Sequence, residues 1–379
     1  MKERLYALAI LLGLLALAAC AGKEEATPSP ATSGGEVKPA WEQEWERVLA
    51  SAKQEATVTV ITSARGTAGR QALTEPFQKK YGITVEYLGG TASENAARVK
   101  TERGAGKYLW DVLVEGTSPF ILDYKPTGAL DPIEPALILP EVKEGKNWLG
   151  GKLEFFEKDR LGVAMIGYTL APVWINTNMA RPDEIRSYRD LLDPKWRGKI
   201  VAIDPRGRGP GEATFSFFYQ HKELGPDFIR ALAKQELILS RDYTFPSTAT
   251  GQGKYPICLA CSTTDALPLK KAGVPIQPVD PRNVKEGGYL TTSNGAVGLL
   301  NRAPHPNAAK VYINWLLTKE GQTELARSQD YASRRLDVPN RDWLEPWMLP
   351  VEGFWVSYDE KAVALKDGMA RLLKEVFGD

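Results

Sequence analysis

Apolar side chains recur three and four residues apart over 41–54, where Trp41, Trp45, Val48, Leu49 and Ala52 form one stripe, and this spacing predicts a helix. Thr and Val then alternate over 57–61, the two-residue period of a half-buried strand. Leu73, Phe77 and Tyr81 mark a second helix over 67–80, distorted at Pro76, which has no backbone N–H to give. A strand is expected over 83–88. Thr91 with Glu94 three residues on forms a capping box for a third helix, which Gly104 stops. Residues 111–114 read as a third strand. Strand and helix thus alternate at the spacing of βαβ units, so the expected class is α/β with a largely parallel sheet covered on both faces.

The pattern then restarts. Residues 163–175 are mostly apolar and interrupted by Pro172, and residues 288–300 form a second long apolar run. Between them lies another α/β unit, with strands over 199–203, 255–259 and 275–279 and helices over 213–220, 227–236 and 265–272. Past the second run, Ala309, Tyr312, Ile313, Leu316 and Leu317 stripe a helix over 306–317. Two apolar runs flanking one unit mean that the chain leaves a first lobe and later returns. The expected division is lobe 1 over 41–168 plus 290–379 and lobe 2 over 169–289. The tail over 343–377, rich in Trp and then helical, is expected to pack on the first lobe.

The amino terminus bears on compartment. Lys2 and Arg4 precede an apolar run over 5–19, short of the roughly twenty residues of a spanning helix and shaped like a secretory signal. Residues 21–39 carry Val37 as their one sizeable apolar side chain, so a disordered tether is expected over 20–40. Leu17-Ala18-Ala19-Cys20 resembles the bacterial lipobox. The resemblance implies that 1–19 is removed and that Cys20 is diacylated, anchoring an exported protein that faces the periplasm or the cell exterior. The alternative is a plain signal peptide with an incidental cysteine.

Composition removes several functions. Lys plus Arg number 48 against 47 Asp plus Glu, without a block of five like charges, so nucleic acid has no electrostatic case as a partner. The two histidines, His221 and His305, sit in no nucleophile or metal motif, and no Gly-x-Ser-x-Gly elbow occurs. No catalytic residue, cofactor or metal ligand is assigned, and a secreted hydrolase is kept as an alternative. Cys258 and Cys261 are spaced C-x-x-C without a second pair to complete a zinc shell. They either close a small local disulfide or remain thiols. No coiled-coil pattern is present, and a monomer is expected.

Four phrases carry a family resemblance: Val173-Trp174-Ile175-Asn176-Thr177, Asp190-Leu191-Leu192-Asp193-Pro194-Lys195-Trp196-Arg197-Gly198-Lys199-Ile200, Gly273-Val274-Pro275-Ile276 and Ala303-Pro304-His305-Pro306-Asn307-Ala308-Ala309. In order and spacing they resemble the solute-binding proteins of ferric-iron, polyamine, thiamine and phosphonate-type ABC importers. The resemblance implies a periplasmic-binding-protein-like fold, two α/β lobes joined by two hinge crossovers, closing on a small ligand for an ABC permease and its ATPase. A binding lobe that reports to a membrane sensor would have the same sequence. Leu191, Leu192 and Trp196 are expected in the core.

In open α/β sheets, ligands sit beyond the carboxyl ends of strands, where helix amino termini present free N–H groups that suit anions. The candidate loops are 62–67, with Ser63, Arg65, Gly66 and Thr67, and 204–211, with Arg206, Gly207 and Arg208 before Thr214 in the next helix. Thr117 and Ser118, Ser262 and Thr263 extend the set, and Tyr168 and Tyr289 lie on the crossovers. Ferric-binding members of the resembled group use two adjacent tyrosines near the loop after 255–259. This chain has Ala260-Cys261-Ser262-Thr263-Thr264-Asp265 there, so ferric binding would need atypical ligands. A polyamine would need a carboxylate-rich cleft, whereas these loops lean toward arginine. The expected ligand is a small organic anion: a carboxylate, a phosphonate or a sugar phosphate.

Overall fold

The computed structural model describes residues 38–378 apart from Arg65 and Arg208. The expected signal over 1–19, Cys20 and nearly all of the expected tether lie outside the described residues. No helix among the described residues is long and apolar enough to cross a membrane.

Helix α1 (Ala40–Glu55), strand β1 (Thr57–Thr62), α2 (Thr67–Tyr81), β2 (Thr84–Gly89), α3 (Ala92–Gly104) and β3 (Val112–Glu115) follow the alternation read from the sequence. The capping box forms: Glu94 N donates to Thr91 Oγ1 at 3.2 Å and Thr91 N to Glu94 Oε2 at 2.8 Å. Next, α4 (Thr117–Pro119) opens a continuous helical stretch through a π turn, Phe120–Tyr124, and a 3₁₀ turn, Lys125–Thr127. The short elements β4 (Leu130–Asp131), α5 (Pro140–Lys143), β5 (Glu154–Phe155) and β6 (Gly162–Ala164) complete this part. The first apolar run is not one crossover strand. It divides into β6, β7 (Tyr168–Leu170) and β8 (Val173–Asn176), because Pro172 cannot donate to a ladder.

The second unit contains β9 (Ile200–Ile203), α6 (Pro210–Gln220), α7 (Gly225–Ala233), β10 (Ile238–Ser240), α8 (Thr244–Gly251), β11 (Ile257–Leu259), α9 (Thr263–Lys271) and β12 (Ile276–Pro278). The chain returns through β13 (Tyr289–Thr291) and β14 (Ala296–Leu300), then α10 (Pro306–Leu317) and α11 (Lys319–Ser328). It ends with β15 (Trp355–Val356), α12 (Glu360–Ala364) and α13 (Lys366–Phe377).

Three sheets result, ordered β2-β1-β3-β14-β6-β5 with β4 paired to β14, β10-β9-β11-β8-β12, and β15-β13-β7. The largely parallel sheet expected from the βαβ spacing is half right. Strands β2, β1 and β3 are parallel, as are β10, β9 and β11. The strand arriving from the other lobe then inserts antiparallel: β14 beside β3, and β8 beside β11. These arrivals have no covering helix of their own to turn them.

The tail departs from expectation. Helix α13 packs on α6 and α7 of the second lobe, burying Met369, Leu372 and Leu373 in that core. Its apolar stripe matches the aromatic face of α6, and Phe377 meets Phe215 edge-on at 6.0 Å. Helix α12 instead holds to the first lobe, where Lys125 Nζ donates to Glu360 Oε1 at 2.9 Å. The tail therefore spans both lobes.

Glu115 ends β3 with no exposed surface. Asn95 Nδ2 donates to its Oε1 at 2.6 Å, while Oε2 has no hydrogen-bond partner. Burial pushes its carboxyl up from 4.5 to about 7, with nearby Ser63 and Asn95 opposing the shift and Asp123 adding to it. A raised carboxyl holds its proton more tightly folded than unfolded, so its contribution to stability is complete below the unfolded value and is lost as pH rises to the folded one. Glu115→Gln should therefore flatten the stability–pH curve between about 4.5 and 7, removing a fall of roughly 3 kcal/mol. Urea unfolding of both proteins across that window measures it, and parallel curves would refute the assignment.

Candidate functional site

The loops that follow β1, β2, β3, β9 and β11 converge on one cavity of about 420 Å³, within the roughly 300–1,000 Å³ of small-molecule sites. Ser63 comes from the first loop, Thr91 from the second and 116–119 from the third. The second lobe brings 209–210, Glu212, Ala213, Thr214 and 261–264. The back wall is the small sheet and its continuation, with Tyr168, Tyr289, Thr291, Thr292, Ser293 and Asn294.

Among the described residues four helices begin at this cavity after a loop, α3 and the α4 stretch from one lobe, α6 and α9 from the other, while α13 starts there directly out of α12. The first N–H groups of a helix lack intrahelical partners and carry partial positive charge. The α3 terminus is capped by Thr91, whereas those of α4, α6 and α9 have no side-chain cap. Two glycines let the backbone come this close. A Cβ on Gly116 would lie 2.8 Å from Ser293 O, and one on Gly211 would lie 2.6 Å from Ile203 O.

More than half of the lining residues carry a hydroxyl. Several pair with each other: Thr214 Oγ1 with Tyr289 OH at 3.0 Å, Ser262 Oγ with Thr264 Oγ1 at 2.8 Å, and Ser63 Oγ donating to Asn294 Oδ1 at 3.0 Å. Thr263 Oγ1 is buried without a partner. Tyr168 stacks on Tyr331 with ring centroids 5.0 Å apart. Burial raises the phenols of Tyr168 and Tyr289 well above their ordinary value and pushes Tyr358 up to about 12. Among the described lining residues Glu212 is the one carboxylate and Lys366 the one cation.

Ser63, Thr117, Ser118, Tyr168, Thr214, Ser262, Thr263 and Tyr289 of the sequence-derived set line this cavity. Arg65 and Arg208 lie outside the described residues. Gly66 and Thr67 are exposed at the start of α2 and do not line it. Neither do Gly207 and Arg206. The Arg206 guanidinium grips Asp204 through Nε at 2.9 Å and Nη2 at 2.7 Å. Its Nη1 donates to Phe377 O at 3.0 Å and Gly378 O at 3.2 Å, closing the carboxyl end of α13. Through that hydrogen bond, and against burial, which on its own would raise it, Asp204 is held below the usual carboxylate range.

Sequence reasoning passed over the stretch 291–294, although its Thr-Thr-Ser-Asn interrupts an apolar run, which is a readable sign. It had no means of finding Ser357, Tyr358 and Lys366, which reach the cavity by the path of the tail. Cys258 and Cys261 form a disulfide, with Cα atoms 5.7 Å apart, and Cys261 lines the cavity. The histidines lie elsewhere: His305 Nδ1 meets Asp111 Oδ2 at 2.9 Å under α10.

Known proteins share this architecture. Iron uptake protein A1 of Synechocystis sp. is 24% identical over 263 residues, covering 66% of this chain and 69% of its own. The Trichodesmium protein FutA (IdiA), solved with iron and citrate, superposes with a TM-score of 0.64 at 17% identity, covering 85% of this chain and 100% of its own. The periplasmic binding protein AfuA of Actinobacillus pleuropneumoniae, solved with fructose-6-phosphate bound, gives 0.59 at 18% identity over 84% of this chain and 97% of its own. At such identities the likeness shows a shared two-lobed fold. The family model for bacterial extracellular solute-binding proteins matches residues 72–349, and this chain belongs to that family, as a solute-binding protein of the ABC-importer type.

Proposed function

We propose that the cavity captures a small organic anion (a carboxylate, a phosphonate or a sugar phosphate) and that the lobes close on it by bending at the small sheet. The closed protein hands the ligand to an ABC permease driven by its ATPase and carries out no reaction itself. The observation that supports this reading is the meeting of four helix amino termini, two per lobe, in a hydroxyl-rich cavity. Free N–H groups suit acid oxygens, and hydroxyls, which both donate and accept, suit the rest of a polar ligand.

Iron is the second reading, favoured by the names of the relatives. A bare ferric ion fits poorly. Burial disfavours phenolates here, Glu212 is already paired with Lys366, and no group of three or more His, Cys, Asp or Glu side chains is placed to hold a metal among the described residues. Iron chelated by an organic acid would present carboxylates to the same helix ends and suits the site better. Acylation of Cys20 would hold the protein, as a monomer, at the membrane surface.

Titration of the protein with citrate, phosphonoacetate, glucose 6-phosphate, ferric citrate, free ferric iron and spermidine tests the ligand class. At a thousandfold excess over Kd, a bound anion should add about 4 kcal/mol of stability and raise Tm by several degrees. Stabilisation by spermidine or free ferric iron alone would sink the anion reading. For the anchor, Cys20→Ser should move the protein from the membrane fraction to the supernatant and abolish incorporation of labelled palmitate. Retention in membranes would show that acylation is not what holds it.

A further inference from the structure

We propose that Lys366 is the side chain that recognises the acid group of the ligand, and that it does so by exchanging Glu212 for the ligand as its counter-ion. This rests on the anion reading above and adds to it a specificity-determining residue outside the loops that follow the strands.

Lys366 is the first residue of α13. Its Nζ donates to Ser118 Oγ at 3.1 Å and pairs with Glu212 Oε1 at 3.2 Å. Ser118 lies in the first turn of the α4 stretch in one lobe, and Glu212 in the first turn of α6 in the other. The ammonium therefore sits where two positive helix ends face each other, a poor place for a cation unless an anion accompanies it. Without ligand, Glu212 supplies that negative charge. The side chains of Lys366 and Glu212 are only 17% and 22% exposed, so water screens them weakly.

An entering acid group offers more than Glu212 does. Its oxygens can meet Nζ and the uncapped N–H groups of α6 together, whereas Glu212 is tethered to one of these helices. Glu212 is thus a resident competitor. It weakens the affinity for any anion and excludes neutral solutes, for which the ion pair would have to break without replacement.

The course of the tail links this contact to both lobes. Helix α12 is fastened to the first lobe through Glu360 and Lys125, and α13 lies on the second. Lys366 follows α12 after a single residue, so its place over the cavity depends on the relative position of the two lobes.

Calorimetric titration with citrate, inorganic phosphate and glucose 6-phosphate tests the assignment on the full chain. For whichever probe the wild type binds, Lys366→Met should weaken Kd about 30- to 100-fold, the effect of losing a charge-assisted contact, with the Tm of the empty protein within a few degrees of wild type. Lys366→Arg should restore most of the affinity, and Glu212→Gln should tighten it severalfold. Equal affinity of wild type and Lys366→Met would overturn this assignment and leave the anion reading standing. Failure of the wild type to bind any of the three probes would overturn both. Should Lys366→Met fail to fold, Glu212→Gln decides alone: tighter binding supports the exchange, and unchanged or weaker binding refutes it.

Discussion

The small sheet β15-β13-β7 constrains everything built around it. Strand β7 leads out of the first lobe and β13 leads back, and their antiparallel register places Tyr289 opposite Leu170 and Thr291 opposite Tyr168. That pairing fixes where β8 enters one large sheet and where β14 enters the other. Each arrives antiparallel beside a set of three parallel strands, and the loops after those strands then look onto the same space. Buried Tyr168 and Tyr289 pack the junction, while Thr291 to Asn294 turn its far side into the wall of the cavity. Hinge and binding wall are one piece of backbone, so a ligand in the cavity touches the part that would bend.

The polar character of the site follows from this placement. Helix termini cannot be hidden in an apolar core without partners, and three of the four termini here have no side-chain cap. Their N–H groups are left for water or ligand, and hydroxyl side chains complete the shell without adding charge. Glu115, just behind the loop at 116–119, adds little negative field while it keeps its proton. Glu212 and Lys366 cancel one another until something replaces either. On the proposed reading the helix backbones supply the positive ends, and the Glu212–Lys366 pair, the one ion pair among the described lining residues, is the point at which an anion would enter.

Local chemistry was legible and long-range paths were not. The Thr91–Glu94 capping box, the strand–loop–helix units and the loops that end at the cavity depend on neighbours within a few residues, and the sequence carries them in full. Strand β10 and helix α8 escaped notice because Ile238 to Ser240 is too short to show a period and Thr244 to Gly251 has no apolar stripe. The apolar face of α13 announces a packed helix, yet nothing in its spacing says which lobe receives it. Arg206 shows the limit most clearly. A guanidinium in a glycine-rich loop reads as an anion contact, but its fork is filled by Asp204 two residues earlier and by carbonyls at the far end of the chain. Only the fold brings residues 377 and 378 there.

The anion reading consequently keeps its conclusion on partly different physical grounds. As a sequence argument it leaned on helix termini, on arginines in the loops and on the missing tyrosine pair; with the fold in view its support is the helix termini and one lysine in place of Arg206. The difference bears on mechanism. A helix terminus is fixed by the helix and needs no reorganisation to receive an anion, but its field is short in range and weak when water stands beside it. In an open cleft each lobe offers its pair of termini to solvent. On closure both pairs face the same anion with water displaced, and the same partial charges act through a lower dielectric. The gain is therefore available only to the closed form with ligand present, which is the differential affinity needed for a ligand to shift a hinge equilibrium.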